Sequence, residues 1–156
     1  MCHYCGCRQI PLLRDYIAEH ERATNLADNG VRAIDSGDLP QAQRCIAEMA
    51  VVLEAHWRGE ENGLFRIMAR DEEVEAHIIP LVAEHRELAG LLASANVADP
   101  EDQARIRRAI VHLDEHISKE EDGLFPASLT ALTGADWDAS IAAWQEAHPG
   151  DSLIAD

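Results

Sequence analysis

"HWRGEENGLF" runs from His56 to Phe65, and "HISKEEDGLF" runs from His116 to Phe125. The two stretches share a histidine, a glutamate pair four and five residues later, and Gly-Leu-Phe, while the positions between them vary. Residues i and i+4 lie one turn apart on the same face of a helix, so His56 stands over Glu60 and His116 over Glu120. Three residues before each histidine is an apolar side chain, Leu53 or Leu113, so both pairs rise from stripes that face a core. A second echo is "AEH", at Ala18–His20 and again at Ala83–His85, with apolar Ile17 and Val82 beside it. The chain therefore reads as a duplicated hairpin, each half giving a histidine from its first helix and His-x-x-x-Glu from its second.

Working outward, Ile10 to about Ala33 keeps apolar residues at helical spacing until "DSGDLP" stops the run. Asp38-Leu39-Pro40 opens a second helix that carries the first motif near its end. In "RDEEVEAHIIP" the expectation is a short helical lead-in from Asp71, with Pro80 as a kink or in the first turn of a third helix through Leu81, His85, Leu88 and Leu92. Asp99 and Pro100 are the N-cap and first residue of a fourth helix reaching Asp122. The tail from Pro126 to His148 reads as two short helices, with Trp137, Ile141 and Trp144 on one face packed on the bundle. The expected fold is all-α: an antiparallel, up-and-down four-helix bundle over residues 10–129, a cysteine-rich segment at 1–9 and a helical tail at 130–156.

Composition agrees. At 156 residues the chain can bury one core, and with 47% apolar but only 4% aromatic residues that core is built from Ala, Leu, Ile and Val. A formal charge of -16 repels nucleic acids and anionic membranes and draws in cations. No basic leader precedes an apolar run, and no apolar stretch approaches eighteen residues. The expectation is a cytoplasmic monomer or homodimer with no membrane or nucleic-acid partner.

Burying two carboxylates and four imidazoles without partners costs several kcal/mol per charged group, against a total stability of roughly 5–15 kcal/mol. A pair of metal ions removes that cost. His20, His56, His85 and His116, with Glu60 and Glu120 bridging, give each ion two nitrogens and two oxygens; a solvent-derived bridge leaves one position open. Zinc or manganese would accept much of the same set. Gly63 and Gly123 release or bend the helix ends, and the Leu-Phe after each folds back as an apolar plug. Tyr16, one turn before His20, is a candidate ligand or hydrogen-bond donor, or else a core tyrosine. His112, one turn before His116, is a candidate extra ligand, or else a polar residue bonded within the core. Glu61 and Glu121 lie about 100° round the helix from the bridging pair and read as surface groups or partners of the ligands. A ferritin-like site would need Glu-x-x-His, but the residues three before all four histidines are apolar.

The pattern His20, His56-Trp-Arg-Gly-Glu60, His85, His116-Ile-Ser-Lys-Glu120, followed by "EEDGLFP", resembles the hemerythrin-like or HHE cation-binding family. The resemblance implies two iron ions with an oxo or hydroxo bridge, reacting with dioxygen, hydrogen peroxide or nitric oxide. It departs from the invertebrate oxygen carriers, which have an HxxxH pair on the third helix and HxxxxD on the fourth; here Leu81 stands one turn before His85 and the fourth-helix acid falls at i+4. The emptier ligand set favours redox turnover or sensing over simple oxygen carriage, and the leading expectation is peroxide or nitric oxide detoxification, fed by an electron-donor protein. The other reading is a sensor or carrier of oxygen, nitric oxide or iron.

"MCHYCGCR" places Cys2, Cys5 and Cys7 in a C-x-x-C-x-C run. The spacing suits a zinc or iron thiolate site, with His3, Cys45 or His148 as fourth donor, a redox dithiol, or a thiol-rich tail.

Overall fold

The structure is a computed structural model that describes residues 6–154; Cys2, Cys5 and the side chain of Cys7 lie outside the described residues. After a 3-10 turn at Cys7–Gln9 come α1 (Leu13–Ser36), α2 (Leu39–Asn62), α3 (Leu64–Met68), α4 (Glu72–Ser94), α5 (Pro100–Lys119), a π-helical turn (Glu120–Leu124), α6 (Phe125–Ala131) and α7 (Gly134–Ala147). The described residues contain no strand, and α1, α2, α4 and α5 are the four long helices of the bundle. None of them is long and apolar enough to cross a membrane.

Local chemistry sets the reversals. Gly37 takes φ 78°, and its N–H reaches the carbonyls of Ala33 and Ile34, closing α1 in a conformation that only glycine adopts freely. Asp38 then accepts the Gln41 N–H (3.0 Å) as N-cap, so α2 starts at the next residue, Leu39. Asp71 caps α4 by accepting from Glu73 N–H (2.9 Å), and Asp99 caps α5 by accepting from Glu101 N–H (2.7 Å). Each such cap contributes about 1 kcal/mol. The expected lead-in and third helix are one continuous helix, α4, with Pro80 inside it. Pro80 and Ala76 are exposed, so the carbonyl that the ring leaves without an N–H faces solvent.

Two apolar layers sandwich a polar plane. One holds Ala27, Ile46, Met49, Leu53, Leu92 and Ile106; the other holds Tyr16, Leu64, Phe65, Leu81, Phe125 and Trp144. The repeated Gly-Leu-Phe segments put Phe65 and Phe125 into the second layer, but their glycines differ. Gly63 ends α2, and a Cβ there would stand 2.8 Å from the Gly59 carbonyl oxygen, 3.1 Å from Ala143 Cβ and 3.1 Å from the Ser140 carbonyl oxygen. Gly123 lies in the π turn and faces open space. Gly63→Ala is therefore expected to push α7 off α2 and cost about 1–3 kcal/mol in chemical denaturation. Gly123→Ala should lack that cost; equal losses would contradict the packing argument.

Candidate metal centre

His20 comes from α1, His56 and Glu60 from α2, His85 from α4, His116 from α5, and Glu120 from the π turn. All six are buried, and both glutamates are 0% exposed. Every ring is held from behind by a carboxylate. His56 Nδ1 donates to Glu19 Oε2 (2.7 Å) and His116 Nδ1 to Glu84 Oε2 (2.7 Å). His85 Nδ1 donates to Glu61 Oε1 (2.9 Å) and His20 Nδ1 to Glu121 Oε1 (3.0 Å). A carboxylate only accepts, so the proton sits on Nδ1 and each Nε2 turns its lone pair inward.

Those lone pairs meet. His20 Nε2 lies 3.0 Å from His56 Nε2, and His85 Nε2 lies 3.0 Å from His116 Nε2. Each such pair must share either a proton or a metal cation, since two bare lone pairs at that distance repel. The glutamates face the same points. Glu120 Oε2 is 3.1 Å from His20 Nε2, while its Oε1 is 2.8 Å from His116 Nε2 and 3.8 Å from His85 Nε2. Glu60 Oε2 is 3.3 Å from His56 Nε2 and 3.9 Å from His85 Nε2. None of the four carboxylate oxygens accepts a hydrogen bond among the described residues. Two groups of metal donors result: His20, His56, Glu60 and Glu120, and His85, His116 and Glu120.

Without a metal this arrangement is frustrated. Burial, and then Glu120, push the Glu60 carboxyl well above its usual range. Burial also works against the Glu120 carboxylate, but His116, His20 and His85 outweigh it and hold it well below. Burial pulls His20 down, yet Glu120 and Glu121 raise it to about 9. Burial and the His20 charge drop His56 to about 4. The donor set fits metal ions. With metal–nitrogen bonds of about 2.1 Å, two nitrogens 3.0 Å apart subtend about a right angle, as neighbouring sites of an octahedron do. That geometry with nitrogen and carboxylate donors suits iron better than a closed tetrahedral zinc site.

A family model for the hemerythrin HHE cation binding domain matches residues 12–128. The chain belongs to this family. No curated protein and no solved structure matches it significantly. The two His/Glu groups are thus the di-iron-type centre typical of hemerythrin-family bundles.

The remaining candidates separate. Tyr16 is fully buried, its ring edge-on to His56 (centroids 5.2 Å apart), and its hydroxyl has no hydrogen-bond partner among the described residues. Burial, and then Glu60, push its pKa well up, so the hydroxyl keeps its proton. His112 is exposed and lines a cavity between α4 and α5 that His85 and His116 also line, but it belongs to neither donor group. It misses the centre because α5 turns Leu113 and His116 inward, and α4 stands too far off to bury the neighbouring face. Glu61 and Glu121 prove to be ring holders. Glu61 does this from the end of the regular α2 and Glu121 from the π turn, so the role does not depend on the helix type. Cys45 is buried and accepts from Gln41 Nε2 (3.3 Å), and His148 Nε2 donates to Glu19 Oε1 (3.0 Å). The thiolate site expected at the N-terminus falls on residues outside those described.

Glu19 and Glu84 are the functional residues that sequence reading missed, although both are the middle letter of the repeated "AEH". Their surroundings break the symmetry of the duplication. Glu84 also accepts from Lys119 Nζ (2.5 Å), but the repeat places Gly59 at the position of Lys119. There Glu19 accepts instead from Trp144 Nε1 (2.8 Å) and His148 of the tail. A Cβ on Gly59 would stand 3.3 Å from the Tyr16 hydroxyl and 3.4 Å from Trp144 Cα, so the glycine leaves room for Tyr16 and α7 to pack closely on α2. Burial opposes the Glu19 charge, but bonds from His148 and His56 overcome it and hold the carboxyl down to about 2. Glu19→Gln is expected to weaken metal binding about 10–100-fold in competition with a chelator. Unchanged affinity would remove the ring-holding role.

Proposed function

We propose that this hemerythrin-family domain is a non-heme di-iron protein that turns over a small oxidant, hydrogen peroxide or nitric oxide. What supports this most is Leu81. It is buried and apolar one turn before His85, where the oxygen carriers supply a further histidine, so the His85–His116 side is short of protein donors. Bound iron would supply redox electrons and open coordination positions. The protein's part is to fix geometry and exclude water. The outer glutamates orient the four rings, Phe65 and Phe125 seal the centre from the α3 and α6 side, and the neutral Tyr16 hydroxyl is a proton donor beside His56. We take the protein to work in the cytoplasm and to draw electrons from a separate donor protein.

A second reading is a sensor or carrier without turnover. It is favoured by the bond from α7 to Glu19, which would pass a change at His56 to the outer surface. Stopped-flow spectroscopy of the iron-loaded, reduced protein with dioxygen, peroxide and nitric oxide in turn separates the two. Repeated consumption of peroxide or nitric oxide supports turnover. A stable, reversible adduct replaces it with sensing or carriage, and inertness towards all three sinks both.

A further inference from the structure

The cavity between α4 and α5 has a volume of about 420 Å³ and reaches His85 and His116. A water molecule's share of the liquid is about 30 Å³, so a diatomic gas or peroxide needs a small fraction of this space. Pockets for organic ligands start at about 300 Å³.

The duplication shows how the cavity is made. In the register that lays His20 on His85 and His56 on His116, Ala23 of α1 corresponds to Leu88 of α4. Met49 and Val52 of α2 correspond to Ala109 and His112 of α5. In the first half, Ala23 lets the helices approach, and Met49 and Val52 fill the interface; all three are buried. In the second half, the larger Leu88 holds the helices apart and Ala109 is too short to fill the gap, so α4 and α5 pack far less closely than α1 and α2. The metal donors are the same in both halves. The second interface is hollow at positions where the first is solid.

The lining defines the occupant. Trp57, Leu88, Leu91, Ala109 and Leu113 offer an apolar body, and the Trp57 ring is stacked on His85 (centroids 4.9 Å apart). Of the cations, Arg105 is engaged by Asp102 (2.8 Å) and Lys119 by Glu84. Arg108 has no ion pair or hydrogen bond among the described residues, and His112 is one turn away on the same helix. The chain's charge of -16 works against anions in general, so an uncommitted guanidinium at this cavity is the local anchor for one, preferably a planar carboxylate that it can hold with two hydrogen bonds. Glu87 and Glu115 also line the cavity and repel anions in proportion to their charge, which favours one negative charge over two.

We propose that this cavity binds an organic monocarboxylate, its apolar body against Trp57 and Leu113 and its carboxylate on Arg108, on the His85–His116 side of the metal pair. Its relation to the metals rests on the reading above; the binding itself does not.

The test is calorimetric titration of the full chain, metal-free and loaded with redox-silent zinc, using hexanoate, hexanol, hexylamine and hexyl phosphate. Hexanoate should bind about tenfold or more tightly than the other three, shifting the Trp57 side-chain NMR signal. Arg108→Gln should reduce hexanoate to the level of hexanol, and Ala109→Met, which restores the residue of the solid interface, should abolish binding. Should Ala109→Met fail to fold, Arg108→Gln still decides, because its side chain is exposed. Absence of hexanoate binding, equal binding of the amine or phosphate, or indifference to either folded variant would overturn the proposal. Failure of the parent protein to take up two metals would instead sink the di-iron reading and leave the binding result standing.

Discussion

Glu120→Gln is expected to leave a protein that takes up one iron ion or none, against two for the parent. Elemental analysis gives the count, and Mössbauer spectra show whether two irons still couple. Glu120 reaches the two histidine pairs with different oxygens, Oε2 towards His20 and Oε1 towards His116. An amide keeps one acceptor and turns an NH2 towards the other pair, so one side loses its shared donor. Affinity should fall by more than the ~10–100-fold typical of losing an outer partner. Glu60→Gln should also lose the pair, with an opposite effect on the empty protein. Burial and Glu120 raise the Glu60 carboxyl in the fold, so its charge opposes folding. Metal-free Glu60→Gln should therefore be the more stable protein by roughly 1–3 kcal/mol at neutral pH. The sign follows from linkage: below the unfolded carboxyl's pKa both states are neutral and the gain vanishes, and it grows as pH rises and the unfolded chain ionises. Two coupled irons in both variants would rule out the bridging roles.

Stripping the metals should cost the protein about 5–15 °C in melting temperature by calorimetry, recovered when iron is returned. Ligands at 100 to 1,000 times their Kd add about 2.7–4.1 kcal/mol of stability, and a chain of this size shifts by about 2–4 °C per kcal/mol. The structural reason is local. Four inward ring nitrogens and two buried carboxylates share one plane between apolar layers, and without metal ions only protons are left to offset their repulsions. A melting temperature indifferent to chelation would mean that this plane is satisfied in another way.

The buried grouping of these histidines and glutamates was legible because its signals are local. A histidine and glutamate four apart, above an apolar residue three before, fix a face without knowledge of the neighbouring helices, and the capping aspartates fix the starts. Glu19 and Glu84 were not legible. A residue next to a ligand points about 100° away on its own helix, and only the placement of the adjacent helix shows that it reaches His56 or His116. The π turn has no spacing signature, since "EENG" and "EEDG" look alike but end their helices differently. The outward turn of His112 depends on the distance between α4 and α5, set by Leu88 and Ala109. Continuity through Pro80 depended on that face meeting water.

The two hairpins are threaded together at the centre. Each second-helix histidine is steadied from within its own half, by Glu19 or Glu84, but each first-helix histidine is steadied by the opposite half, by Glu121 or Glu61. Neither hairpin alone carries a full outfit of ring supports. Severing the link at exposed Arg70–Asp71 would give two fragments that must find each other before any ring is fully braced, a natural split-protein pair. In this sense the chain is a tethered dimer, its repeated parts kept in partnership by the ring supports they exchange.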